Sequence, residues 1–268
     1  MPDIRRMQVL LGTYVEAGTR GPAAALDAAF ASMAQAQHLW SFHDPDSELS
    51  RLNGAHGKAV PLSNTTLRLL RAARAMMAAS GGAFDCTVGA MLVQAGALPD
   101  HGAGPCLARG SAADIVIGPG WARLARPVRI TLDGIAKGFA VDLALRAMRR
   151  AGATAGYVNA GGDVAVFGEL ALPMQRRELD GSLTELGCLR RAAMASSRTG
   201  APDARFPAHI VAPAGLQAAP GVWTVVARSA WRADALTKVA ATLAMPRREA
   251  LVRALGGALI HRSPEFAS

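Results

Sequence analysis

Cysteine is scarce in this chain, and so are aromatics, long apolar runs and clustered basic stretches. Its three cysteines, Cys86, Cys106 and Cys188, lie far apart with no CxxC spacing. That excludes a zinc site built on cysteine pairs and a disulfide framework, and leaves a reduced, cytoplasmic setting as the expectation. Aromatic residues are 5% of the chain, and none interleaves with a basic patch. The arginines come as scattered doublets, Arg5-Arg6 and Arg247-Arg248 among them. A net charge of +9 spread in this way is not the footprint of a nucleic-acid binder. It suits a small anionic ligand such as a nucleotide, or simply a basic surface. No stretch approaches the roughly 20 apolar residues of a membrane-spanning helix. The early apolar run, Val9 to Leu11, is too short for the apolar core of a signal peptide. A soluble protein without membrane insertion is expected.

What is present reads as one domain over residues 1–268, with ample core for that length. Val9 to Val15 is strand-like, and Gly21-Pro22 opens a helix towards Leu39. Ser41 to Asn53 is a polar loop with a helix-start signal, in which Ser47 precedes Glu48 and Asp46 can accept backbone N–H bonds. Leu67, Leu70, Ala73 and Met77 form the apolar stripe of a helix over Leu62 to Ala79, stopped at Ser80-Gly81-Gly82. Ala95 to Ala113 reads as a loop, Val128 to Leu132 as a strand and Gly138 to Ala151 as a helix. Strand pieces follow at Tyr157-Val158, Val164 to Phe167 and within 185–226, then helices over Asp234 to Ala244 and Arg247 to Leu255. Strands and helices interleave without a βαβ rhythm or a repeat, so the expected class is α+β.

Three glycine-rich turns stand out: Ser80 to Asp85, Leu132 to Gly138, and Asn159 to Asp163. None is a G-x-G-x-x-G dinucleotide fingerprint, and no G-x-x-x-x-G-K-[ST] loop occurs. In ITLDGIAKGFAVDLA, Ile130 to Ala144, glycines bracket Lys137 just where a helix begins. Glycine lets a ligand approach the backbone, helix N-termini favour phosphate, and a lysine adds a point charge. Each turn alone is equally a plain tight turn. Together they point to a phosphate-bearing ligand faced by Lys137.

The order of these motifs resembles the ApbE-like FAD:protein FMN transferases, from Leu11 almost to the C-terminus. Leu11-Gly12-Thr13, Phe42 to Asn53, Gly81 to Gly89, Gly134 to Asp142, Asn159 to Asp163 and Ala233 to Leu236 carry the resemblance. It implies an enzyme that cleaves FAD at its pyrophosphate, attaches the FMN half to a threonine hydroxyl of an acceptor protein, and releases AMP with magnesium required. It also implies FAD contacts at Leu11, His43, Ala83, Phe84, Asp85, Thr131, Lys137 and Ile210, and a metal held by the Gly134 carbonyl, Asp234 and Thr237. His209, in Ala208-His209-Ile210-Val211, matches the family's histidine near the reacting phosphate. His209 first and Asp163 second are the candidates to take the acceptor's proton; equally, His209 can serve only to bind flavin and Asp163 only to cap a turn.

The chain departs from the family's pattern at several positions. Thr131-Leu132-Asp133 stands where the family has Asp-Leu-Gly, so Asp133, on the same strand face as Thr131, is the candidate substitute. Lys238 replaces a threonine one helical turn after Asp234. A charged ammonium has no lone pair for magnesium. Three outcomes stay open: Lys238 turns away, it replaces the metal as a built-in cation, or the metal binds weakly. Ala212 stands where the family has an aspartate that would organise its loop. Three activities follow as alternatives: FMN transfer, flavin binding without transfer, and FAD pyrophosphatase activity.

Overall fold

The computed structural model describes residues 2–102, 104–200, 210–213 and 217–260. Strands β1 (Ile4–Leu10) and β2 (Thr13–Arg20) form an antiparallel hairpin. The single strand expected over Val9 to Val15 is thus interrupted at Leu11-Gly12, which turns with φ of 54° and 68°. Two successive positive-φ residues are the tight hairpin turn whose twist matches the strands.

Helix α1 (Ala24–Trp40) follows, then α2 (Glu48–Asn53) inside the segment expected to be a loop. The capping signal there is real but belongs to Ser47, whose hydroxyl accepts the Ser50 N–H at 3.0 Å. Asp46 is itself a donor, its N–H bonding the Asp44 carboxylate. Strand β3 (Val60–Pro61) leads into α3 (Asn64–Ala79), which buries the expected Leu67, Leu70, Ala73 and Met77. Short helix α4 (Gly89–Gln94) was not legible, and strands β4 (Ile115–Gly118) and β5 (Trp121–Leu124) form a small sheet with β3 in the order β3-β5-β4.

Residues 128–132 are extended but are not a strand of any sheet; Arg129 makes an isolated bridge to Val88. The reason is Asn53. Its side-chain amide donates to the Ile130 carbonyl and accepts the Ile130 N–H, both at 2.8 Å, as a neighbouring strand would. Backbone polar groups need partners, and here a side chain supplies them.

Helix α5 (Ala136–Arg150) precedes β6 (Ala155–Ala160), β7 (Asp163–Phe167), the hairpin β8 (Leu172–Arg177) and β9 (Leu183–Leu189), and β10 (Ala193–Thr199). Strand β11 (Gly221–Ala227), helices α6 (Ala230–Thr242) and α7 (Arg247–Ala254), and β12 (Gly257–Ile260) complete the described chain. The main sheet is antiparallel throughout, in the order β1-β2-β6-β7-β10-β11-β12. Leu26 and Met33 of α1, Val141 and Met148 of α5, and Leu236 and Val239 of α6 join Val15, Val158 and Val225 of that sheet in one apolar cluster. The class is α+β, with antiparallel sheets and flanking helices. No described helix is long and apolar enough to cross a membrane.

Candidate active site

Helices α5 and α6 meet near their N-termini, and each is capped by a carboxylate from the other. Neither has a side-chain cap of its own. Asp234 of α6 accepts the Gly138 N–H at 3.1 Å, and Asp142 of α5 accepts the Ala230 and Trp231 N–H groups at 3.0 and 3.1 Å. The first N–H groups of a helix have no internal acceptor, and negative charge suits that end. The approach is close: a Cβ on Gly138 would stand 2.4 Å from the Ala230 carbonyl oxygen. Gly138 is therefore glycine for helix–helix contact, which corrects the reading of two ligand-facing glycines around Lys137. Gly134 keeps the other role, since it lies in a cavity wall between the Phe84 ring and the Lys238 stem.

The β6–β7 turn places a second carboxylate beside this junction. Gly161 and Gly162 have φ of 59° and 99°, and the Asn159 side chain accepts the Gly162 N–H at 3.0 Å. Asp163 then opens β7, almost wholly buried, with Lys137 Nζ 3.3 Å from its Oδ2. That distance is an ion pair's, but no described donor is aligned on the oxygen for a hydrogen bond. Burial first, then the Asp234 charge, push the Asp163 carboxyl well up, against the pull of Lys137 and Lys238. In turn the Asp163 charge raises the Lys137 ammonium against its own desolvation. Asp133 is open to the cavity, yet the walls desolvate it and raise its carboxyl, while the Thr131 hydroxyl donates at 3.0 Å and pulls the other way.

These groups edge a cavity of about 460 Å³. Ala83, Phe84, Asp85, Thr131, Gly134, Lys137 and Ile210, all singled out from the sequence, lie in its wall. Asp163 and Asp234 stand behind it, against Lys137 and Lys238 respectively. His43 is not in the wall but lies in the neighbourhood of Asp133. Leu11 is apart, in the β1–β2 turn, where its N–H donates to the Gln37 side chain. His209 lies outside the described residues.

Thr237 requires a correction. It is fully buried, its hydroxyl donates to the Asp234 carbonyl at 2.7 Å, and Ser197 Oγ lies 2.6 Å away on the other side. It serves the α6–β10 contact and does not face the cavity. Ser196, Ser197 and Arg198 of β10 do line the cavity, and the sequence reading missed them. Their signal was faint: adjacent serines and an arginine at the polar end of a strand that begins with Ala193, Met194 and Ala195. A larger cavity of about 670 Å³ shares Gly161 and these three residues but lacks the lysine–aspartate pairs. The smaller one is where the lysines of both pairs stand.

The donors do not fit a divalent cation. One Asp234 oxygen is paired with Lys238 Nζ and the other with the Gly138 N–H. The Thr237 hydroxyl is engaged on both sides. Magnesium takes near-octahedral oxygen donors, and among the described residues no three histidine, cysteine or acidic side chains converge.

The chain's likeness to known proteins agrees with this architecture. Its fold is similar to the ApbE protein of Thermotoga maritima, with a TM-score of 0.80 at 23% identity, covering 96% of this chain and 93% of that one. It is also similar to the flavinyl transferase ApbE of Pseudomonas stutzeri, with a TM-score of 0.78 at 20% identity and the same coverages. The flavin transferase ApbE of Vibrio cholerae gives 0.76 at 18% identity, covering 97% of each chain. No curated protein matches the chain by sequence. The model of the ApbE family matches residues 11–260. The chain belongs to the ApbE family.

Proposed function

We propose that this chain is an FAD:protein FMN transferase, acting as a single domain in the cytoplasm on a threonine of an acceptor protein. The observation that carries the reading is the two-sided cavity. Phe84, Val88, Leu92 and Leu98 give it an apolar flank that suits a flavin ring, and Lys137 and Lys238 give it two ammonium groups that suit a pyrophosphate. Structural neighbours named as flavin transferases support the same class.

The acceptor hydroxyl oxygen forms a bond to the FMN phosphorus as the bond from that phosphorus to the bridging oxygen breaks. AMP leaves with the electron pair. Phosphoryl transfer calls for positioning and charge neutralisation more than covalent help. Lys137 and Lys238 meet the charge of the pyrophosphate and of the leaving phosphate. Asp163 takes the hydroxyl proton, a role supported by a carboxyl raised towards neutral pH, where a general base works best. His209 is the other candidate base.

The loop that lost its aspartate at Ala212 has another organiser. The Arg109 guanidinium donates to the Ala212 carbonyl and lies 3.5 Å from an Asp85 carboxylate oxygen. That favours retained transfer over flavin binding alone. The test is chromatography of FAD incubated with the protein, with and without an acceptor bearing a flavinylated-type threonine segment. AMP together with a flavin-labelled acceptor is expected, and Lys137→Ala should lower the rate by about 100-fold. AMP with free FMN and no label would establish the pyrophosphatase instead, and intact bound FAD a flavin binder.

A further inference from the structure

Resting on the proposed flavin site, we infer that Lys238 is a built-in cation that closes the Asp234 position to divalent metal, so that the pyrophosphate is met by two protein ammonium groups. Asp234 is 1% exposed and uses both carboxylate oxygens within the protein, one on Lys238 and one on the N-terminus of α5. Asp234 and Lys238 are four residues apart on α6 and share a face. Gly134 leaves room for the lysine stem: a Cβ there would stand 3.6 Å from Lys238 Cε. An ion at Asp234 must therefore displace the ammonium, or sit beside it against like charge.

Lys137 strengthens the argument from the other flank. Its ammonium is paired with Asp163 and faces the same cavity. Asp133, the third carboxylate here, turns to the Thr131 hydroxyl. Each of the two buried carboxylates has its own lysine, so no pair of them is left free to converge on an ion. Lys238 makes and breaks no bond in the transfer. Its ammonium offsets charge on the departing phosphate, as a metal does elsewhere in phosphoryl transfer.

The experiment titrates Mn2+ into the flavin-free protein, followed by electron paramagnetic resonance, and measures FAD affinity in EDTA and in Mg2+. The wild-type protein should show no saturable Mn2+ site at millimolar ion, and FAD affinity should be the same in both buffers. Lys238→Thr should gain a saturable Mn2+ site and lose FAD affinity in EDTA by about tenfold, restored by Mg2+. Lys238→Arg, which keeps the charge, should remain closed to Mn2+ and guards against a folding defect in the threonine variant. A saturable Mn2+ site in the wild-type protein, or a threonine variant that gains none, would overturn the inference. The Mn2+ titration needs no flavin. Failure of FAD to bind in every buffer therefore counts against the proposed function alone, and the metal result is read separately.

Discussion

Asp114 and Asp163 are both nearly sealed from solvent, at 4% and 2% exposure, yet their surroundings treat them in opposite ways. Asp114 receives the Ser111 N–H at 2.6 Å, the Ser111 hydroxyl at 3.0 Å, and two Arg126 donors at 2.6 Å each. Arg126 first, against desolvation, brings its carboxyl down to about 2. Asp163 has a single ammonium at ion-pair distance and no aligned donor on that oxygen, and burial drives its carboxyl up to about 7. A carboxylate whose lone pairs are filled is a clamp, here joining Ser111 to Arg126 just after β5. One left partly unfilled beside a cavity has its carboxyl pushed up instead, the kind of shift found at functional sites.

The sharpest way to break the contrast is at the α5–α6 junction. Asp234→Ala leaves the Lys238 ammonium, only 20% exposed, without its carboxylate and the Gly138 N–H without its acceptor. Breaking such a pair should cost about 3 kcal/mol, read as a lower urea midpoint at neutral pH. A loss below about 1 kcal/mol would mean that the pair is as weak as a surface one.

Asp114→Asn should cost less, about 1 kcal/mol at pH 7, because the Arg126 guanidinium is half exposed and screened. Its carboxyl is lower in the folded protein than the unfolded value of about 3.9. The native state then binds fewer protons, so this stabilisation is present above about pH 4 and lost as pH falls through about 2. Urea titrations between pH 7 and pH 2 should show the wild-type protein losing its advantage over the variant in that acid range. Equal stability at pH 7 would remove Asp114 as a clamp.

Asp163→Asn should change a slope more than a level. Its folded carboxyl lies above the unfolded value, so the native state holds the extra proton. That contribution is fully present below about pH 4 and lost as pH rises through about 7. In the metal- and flavin-free protein, the decline in wild-type stability across this window should flatten in the variant. An unchanged slope would place the proton on another group.

Much of the fold could be read directly from the chain where the signal was local. The α3 stripe and the Ser47 cap depend on residues three or four apart, and the structure has both. The hairpin at Leu11-Gly12 was hidden because leucine rarely takes a φ of 54°, and it was read as strand. The 128–132 segment has the composition of a strand, but its pairing is taken by Asn53, 77 residues away from Ile130. In the site, the glycine-rich turns marked the cavity wall correctly, from Ala83 and Asp85 to Gly134 and Lys137. The same pattern misled at Gly138, whose close neighbour is α6 backbone, and at Thr237, whose hydroxyl turns to Ser197.

Sequence alone determined the α+β class, the turns that need glycine, and which side chains are chemically able to meet a phosphate. These are properties of residue type and short-range spacing. Only tertiary structure decided how those side chains are charged and which way they face. Asp234 accepts the N–H of Gly138, 96 residues earlier in the first turn of α5, and pairs on its other oxygen with Lys238. Asp163 is raised by burial and by the Asp234 charge. Such effects depend on distance through space, and the fold brings these groups together from segments that the sequence keeps far apart.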